Sequence, residues 1–529
     1  MMKKFSVVLD LGILALLSVV TFKVAWIGYQ GWLLDDFHYL KAAEAWATDA
    51  PYLGDTHWEL RYGFVLPLAL AFKLFGVHEY SMVGVTIAFH LMSLAVTYFA
   101  VSALWGRNYG LFAALVVVFV PMVAGWATTP RVAIAEYFYC VVAFWSFLYA
   151  ATNSRGGSLA LLVSGVFLGL AWVTRETSIG VFAAFGVLFL LGYRLPRRRY
   201  WALALGALLV IGGEVVFHAA YSGNPFYRMH TSLIHGKITS TGKGLPQEIP
   251  GEPSERTLET EAASFVDRLM GHFDFSKIER QQSPALFHVN NWVDPYIQFF
   301  TEPYYGLVIW LGLPVALWFG LRKNSEPQEI IGFSRLALLF AGTWVMAALY
   351  LLFLRPLPRY FIFPAYMFAI VLGLGLARAW LSNKKPLVVA VAATYLSVNV
   401  VFMEARQGLG LYNARWALSF GAAADEVVIV DETTYRMLMP LLKSDGLSET
   451  IQPGTPTAGK LYFHDPQRKA GVRPGGRWEI VASHQSDPKW LGSIIDALGL
   501  RSVLPGYVYQ RLTYPYGRAF IYRVPGENS

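Results

Sequence analysis

Residues 1–46 read MMKKFSVVLDLGILALLSVVTFKVAWIGYQGWLLDDFHYLKAAEAW. Lys3 and Lys4 precede an apolar run reaching to about residue 27, enough for a helix to cross a hydrocarbon layer about 30 Å thick. No small-residue cleavage site follows, so the run is expected to be a retained first transmembrane helix. Two adjacent acids, Asp35 and Asp36, come directly after it, where the chain would leave the bilayer. Similar runs recur near 79–102, 108–125, 133–152, 158–174, 177–193, 200–220, 304–321, 334–354, 361–381 and 386–403, predicting eleven membrane helices.

The charges between these runs set an orientation. With Lys3 and Lys4 on the cytoplasmic side, the inner connections hold Arg107, Arg155, the cluster Arg194, Arg197, Arg198 and Arg199, then Arg322, Lys323, Arg335, Arg378, Lys384 and Lys385. Every inner connection is then basic, as the positive-inside rule asks. The same count places the three larger segments, 28–78, 222–303 and 404–529, together on the outer face.

The composition agrees: of 529 residues, 55% are hydrophobic and only 15% charged, which excludes an ordinary soluble globular chain. The formal net charge is +8, but the basic residues form short clusters between apolar runs where nucleic-acid binding would want a continuous stripe, so no nucleic-acid partner is expected. The one cysteine, Cys140, lies within an apolar run and allows no intrachain disulfide.

Two stretches depart from the spanning pattern. Residues 64–76 (FVLPLALAFKLFG) are too few to cross and contain Pro67 and Lys73, which suits a helix lying in the interface. From about 404, short apolar runs alternate with polar turns: EVVIVD, YRMLMPLLK, KLYFHD, WEIVAS, WLGSIIDALG and GRAFIYRV. This predicts a small α/β domain over 404–529 beyond an all-α polytopic membrane domain over 1–403, whose outer loops are 28–78 and 222–303. Segment 237–285, rich in Gly, Pro, Ser, Glu and Lys, is expected to be a mobile loop.

Several polar residues sit where the membrane would make them costly. Asp35 or Asp36 could deprotonate an acceptor hydroxyl at the membrane surface, or could simply open the next helix, whose dipole favours acids. In HWELRYG, Arg61 suits a lipid phosphate through its two-oxygen fork, or could snorkel or pair with Glu59. Arg131 and Glu136 enter the fourth span, Arg175 and Glu176 lie between the fifth and sixth, and Arg355, Arg359 and Tyr360 precede the tenth. Outer arginines run against the topology rule and call for a reason. Glu214 and His218 lie one turn apart and could border the same cavity. His38 and His57 could join the acids around a divalent cation, but their spacing matches no metal motif, so no metal or other cofactor is assigned.

The order of these pieces is what carries a resemblance. A first span, paired acids, HWELRYGFVLPLALAFKLFG, GLAWVTRE, a polar loop opening with GNPFYR, and RPLPRYFIFP together resemble the GT-C glycosyltransferases, such as the protein O-mannosyltransferases and the lipid A aminoarabinose transferases. The resemblance covers roughly residues 1–400 and implies inverting transfer from a polyprenyl-phosphate sugar to a glycan, lipid or protein acceptor. It implies that Asp35 or Asp36 is the base, that Arg61, Arg175, Arg359 and Tyr360 attend the carrier phosphate, and that Glu59, Glu136 and Arg131 support them. Arg228, His230 and His235 could touch donor or acceptor. A transporter or flippase is the main alternative and a non-catalytic scaffold the next, although the charges gather at one face rather than at the midplane in two matching halves.

Overall fold

A computed structural model of the chain describes residues 7–27, 29, 34–152, 157–232, 305–321, 328–350, 358–406, 411–424, 426–447, 449–466, 472, 474–475, 477–485, 490–502 and 518–526. The helices are α1 (Val7–Ile27), α2 (Leu34–Thr48), α3 (Tyr62–Phe75), α4 (Glu79–Trp105), α5 (Arg107–Val118), α6 (Pro121–Trp126), α7 (Val132–Thr152), α8 (Gly157–Thr174), α9 (Ile179–Leu191) and α10 (Tyr200–Ser222). They continue with α11 (Leu307–Leu321), α12 (Gln328–Tyr350), α13 (Ile362–Leu381) and α14 (Lys385–Arg406). Among the described residues, seven helical segments are long and apolar enough to cross a membrane: α1, α4, α7, α8, Arg197–Ser222 (which contains α10), α13 and α14. Each of the other expected runs is also helical, in α5 with α6, α9, α11 and α12, so the chain is an all-α integral membrane protein with a small sheet near its C-terminus.

One expected run is broken. Residues 108–125 form α5 and α6, with Phe119 and Val120 between them. Pro121 is the cause, since it supplies no N–H and drives the preceding residue out of the helical region, and Val120 is extended at φ −75° and ψ 114°. The stretch expected to lie at the interface is α3, a helix with Pro67 inside and Phe64, Val65, Leu68 and Phe72 buried. The opposite end of the bundle, near the start of α1, is tied by Asp10, which accepts from Arg107 Nε at 2.7 Å, Arg107 Nη2 at 3.1 Å and Tyr98 Oη at 2.7 Å.

Glycines set the closest helix contacts. A Cβ at Gly165 of α8 would lie 2.0 Å from the Leu203 carbonyl oxygen of α10, and one at Gly206 of α10 would lie 2.3 Å from that of Leu162. The two backbones therefore touch, a packing that small residues permit where lipid supplies no hydrophobic drive. Gly63 plays the same part between α3 and α8, since a Cβ there would fall 1.9 Å from Thr174 Oγ1. These contacts fix how the ends of α3, α8 and α10 sit together.

The remaining elements are α15 (Tyr412–Ala424), β1 (Val428–Val430), α16 (Glu432–Asp445), β2 (Ile451–Pro453), β3 (Leu461–His464), β4 (Glu479–Gln485), α17 (Trp490–Ala497) and β5 (Arg518–Arg523). The sheet order is β2-β1-β3-β5-β4, with β1 parallel to β2 and β3, and β5 antiparallel to β3 and β4. Every strand and helix motif read from the sequence beyond 404 appears here as that element. Asp431 caps α16 by accepting from Thr434 N at 3.0 Å. Polar contacts join this part to the helical body: Lys443 Nζ reaches Glu44 of α2 at 2.6 Å, and Arg415 Nη2 reaches Glu79 at 2.5 Å and Tyr29 Oη at 3.1 Å.

Candidate active site

The site is built at the end of the bundle where α2 and α7 begin and α8 and α10 finish. In α2 the buried positions Asp36, Tyr39, Leu40 and Ala43 fall at i, i+3, i+4 and i+7, one stripe turned into the protein. Asp36 heads that stripe and is 1% exposed. Its Oδ1 lies 3.3 Å from Nε of Arg131, which immediately precedes α7. Asp35 belongs to the first turn of α2, while its side chain lies outside the described residues.

Five positions along α7 from Arg131, Glu136 is buried and accepts from the Thr177 hydroxyl. Arg175 Nη1 stands 3.8 Å from Glu136 Oε2, and its guanidinium carbon lies 4.2 Å from the centroid of the Tyr360 ring. That ring position is fixed in turn by Trp344, whose Nε1 donates to the Tyr360 carbonyl oxygen at 2.8 Å. Arg175 thus joins α7, the turn after α8 and the turn before α13, with an acid on one side and an aromatic face on the other.

A second network runs beside it. Arg61, the residue before α3, ion-pairs with Glu176 Oε2 through Nη1. The other oxygen of Glu176 accepts from Arg228 Nη1 at 2.6 Å, and Arg228 also grips Glu214 through Nε at 2.6 Å and Nη2 at 3.3 Å. Arg228 is 2% exposed. Burial alone would push the Glu176 carboxyl up, but the two guanidinium groups outweigh it and hold it down at about 2. Past Arg228 lies a cavity of about 240 Å³ bordered by Trp172, Phe182, Glu214, His218 and Phe226. His218 is buried with both ring nitrogens unpaired, and its Nε2 lies 4.0 Å from Glu214 Oε1.

Glu59 does something different from its sequence neighbour Arg61. It accepts from Lys41 Nζ at 3.1 Å, Tyr52 Oη at 2.7 Å and Asp55 N at 3.1 Å, with His38 Nδ1 at 3.5 Å. Burial acts to raise its carboxyl, but those four donors together keep it at about 2. The alternative of an Arg61–Glu59 pair is therefore not realised, and neither is a pairing of Arg175 with Glu176, since each has another partner. Glu59 braces the 49–59 loop against α2. His38 and His57 pack on Trp58, at ring separations of 4.8 and 3.9 Å. Among the described residues no three His, Cys, Asp or Glu side chains converge as a metal cage.

The structure thus gathers Asp36, Arg131, Glu136, Arg175, Tyr360, Arg61 and Arg228 at one end of the bundle. Arg359 lies in the turn Pro358–Phe361 with its side chain outside the described residues, and His235, Arg355 and segment 237–285 lie outside them altogether. Sequence reasoning did not pick out Lys41, Tyr52, Thr177 or the double role of Arg228. The available signal was Glu214: a carboxylate placed in a span implies a cationic partner nearby, and Arg228 is the next arginine along the chain.

Residues 64–216 match the family model described as dolichyl-phosphate-mannose-protein mannosyltransferase. Among solved structures, the oligosaccharyltransferase AglB of Archaeoglobus fulgidus, in complex with an inhibitory peptide and a dolichol-phosphate, is similar with a TM-score of 0.50 at 13% identity over 83% of this chain. The same archaeal enzyme tethered to an acceptor peptide is similar with a TM-score of 0.52 at 12% identity, over 86% of this chain and 69% of that one. ArnT of Cupriavidus metallidurans, bound to undecaprenyl phosphate, aligns over 88% of this chain and 94% of its own at 13% identity, with a TM-score of 0.39. No curated protein sequence matches the chain. The chain shares the fold of these archaeal structures. The stretch from α3 to α10 holds the residues that match that family model, and the chain spans 64% of the length of the first archaeal structure it resembles.

Proposed function

We propose that the protein is an inverting glycosyltransferase that moves a sugar from a polyprenyl-phosphate carrier to an extracytoplasmic glycan, lipid or protein acceptor. The observation that carries the reading is the meeting of Asp36, Arg61, Arg131, Arg175, Arg228 and Tyr360 at one end of a GT-C bundle. A lipid phosphate gains negative charge as its bond to the sugar breaks, and guanidinium groups fixed in advance stabilise that charge with little reorganisation. Arg61 and Arg175 take this role, with Arg359 and Tyr360 beside them. On the opposite face of the sugar a carboxylate of the first turn of α2, Asp35 or Asp36, accepts the proton of the acceptor hydroxyl, whose oxygen forms the new bond at the anomeric carbon. Inversion needs this base alone and no nucleophile on the protein. Glu59, Glu136 and Arg131 hold these groups in place. No metal is assigned to the step.

The basic connections support a cytoplasmic N-terminus, in our reading at a bacterial inner membrane, with the site and the 404–529 domain on the outer side. The test is to supply the purified full chain with a panel of radiolabelled polyprenyl-phosphate sugars and a membrane extract as acceptor. Release of carrier phosphate is expected from one of them, falling at least about 100-fold in Asp35→Asn or Asp36→Asn. Release that survives both substitutions removes the base assignment. No turnover of any donor by folded protein removes the function.

A further inference from the structure

Four arginines described at this end are already matched by acids. Arg131 faces Asp36, Arg175 faces Glu136, and Arg61 and Arg228 share Glu176, with Glu214 as the second acid on Arg228. A phosphate arriving among these groups as they stand would meet a neutral set and gain little attraction. The Glu176 carboxylate differs from the other acids in its geometry. Each of its oxygens is taken by a different, buried guanidinium group, which is how two arginines hold two oxygens of one phosphate.

We infer that Glu176 is an internal stand-in for the carrier phosphate: its carboxylate occupies the Arg61–Arg228 clasp while the site is empty and leaves it when the lipid phosphate binds. The inference rests on the proposed donor chemistry and adds to it a residue that sets donor affinity. Glu176 can move. It lies in the three-residue 3-10 turn Glu176–Ser178 between α8 and α9, and its side chain is 24% exposed, against 10% for Arg61 and 2% for Arg228. Among the described residues it also accepts from Ser232 Oγ at 3.5 Å. The arginines cannot follow it as readily: Arg61 immediately precedes α3, and Arg228 is held by two bonds to Glu214 and lies 5.6 Å over the Trp172 ring. Binding is then an exchange of one anion for another. When the spent carrier departs, the carboxylate returns, so that release never strands the buried Arg61 guanidinium without a counter-charge, while Arg228 keeps Glu214 throughout.

Binding of farnesyl phosphate and of farnesol to the purified full chain in detergent, followed by calorimetry, tests this. Glu176→Gln keeps the size of the side chain and removes its charge. Farnesyl phosphate is expected to bind about tenfold tighter than to the unaltered protein, about 1.4 kcal/mol, while farnesol is unchanged. Glu176→Asp, too short to reach both arginines at once, is expected to tighten phosphate binding in the same direction by a smaller factor. A purely structural ion pair predicts the reverse, with phosphate affinity falling along with thermal stability, and equal or weaker binding by both variants overturns the inference. If the unaltered protein binds farnesyl phosphate no better than farnesol, the donor reading itself fails. If it binds the phosphate well and neither variant tightens, only the role of Glu176 fails.

Discussion

Replacing Arg228 by alanine removes the most enclosed cation of the site. Three carboxylate oxygen contacts go with it, at 2.6, 3.3 and 2.6 Å, and Glu214, itself only 9% exposed, is left facing His218 Nε2 at 4.0 Å. Breaking a buried pair from one side costs roughly 3–5 kcal/mol, because the surviving charge stays desolvated without compensation. Arg228→Ala should therefore destabilise by that amount. Arg228→Lys, which keeps the charge but loses the fork, should recover only part of it. Removing both partners in Arg228→Met with Glu214→Gln should cost less than the two single changes added, with a coupling of at least about 1.5 kcal/mol. Chemical unfolding of the purified protein in one detergent, monitored by tryptophan fluorescence, gives the value for each variant, the single changes Arg228→Met and Glu214→Gln included. An Arg228→Ala protein within about 1 kcal/mol of the parent, or strictly additive single changes, would refute the account of a tightly coupled buried network.

Two further outcomes follow from other parts of the molecule. Glu59 has its carboxyl depressed to about 2, so it adds stability above the ordinary carboxylate range that is lost as pH falls from about 4.5 toward 2, up to roughly 3 kcal/mol. Glu59→Gln should be less stable at neutral pH and show a flatter acid limb in a series of thermal melts, and an unchanged limb would contradict the assignment. Gly165→Leu should separate α8 from α10, since even a Cβ would fall 2.0 Å from the Leu203 carbonyl oxygen, and should lower the melting temperature by several degrees along with farnesyl phosphate affinity. A stable protein with full affinity would show that the close approach is not needed.

The helical runs were legible because hydropathy is a one-dimensional signal, and a span declares itself by length alone. The break at Phe119 and Val120 was also written in the chain, as Pro121, but a run of apolar residues on both sides concealed it. The C-terminal strands could be read because Val428–Val430 and Leu461–His464 are short, apolar and bounded by turn residues. The pairing within the site could not be read. Glu59 and Arg61 are two positions apart, yet one turns to Lys41 and Tyr52 and the other to Glu176, 115 positions along the chain. Such choices depend on helix-end positions set by glycine contacts between α3, α8 and α10, and residue types alone carry no distance. Arg61 and Arg175 were picked out by charge in an unfavourable place; Arg228 was noticed, but its two acids were not matched to it.

The touching backbones of α8 and α10 have a mechanical meaning. With backbone against backbone at Gly165 and Gly206, and no side chain there to bend or change rotamer, the two helices act as a single stiff beam, and α10 cannot tilt without taking α8 along. Glu176 follows the end of α8 and Glu214 lies about two turns before the end of α10, so whatever pushes on this beam from the lipid side acts on both acids that hold Arg228. The tension or thickness of the surrounding bilayer would thus reach the anion clasp as a change in how firmly it is shut, measurable as donor affinity in membranes of differing acyl length.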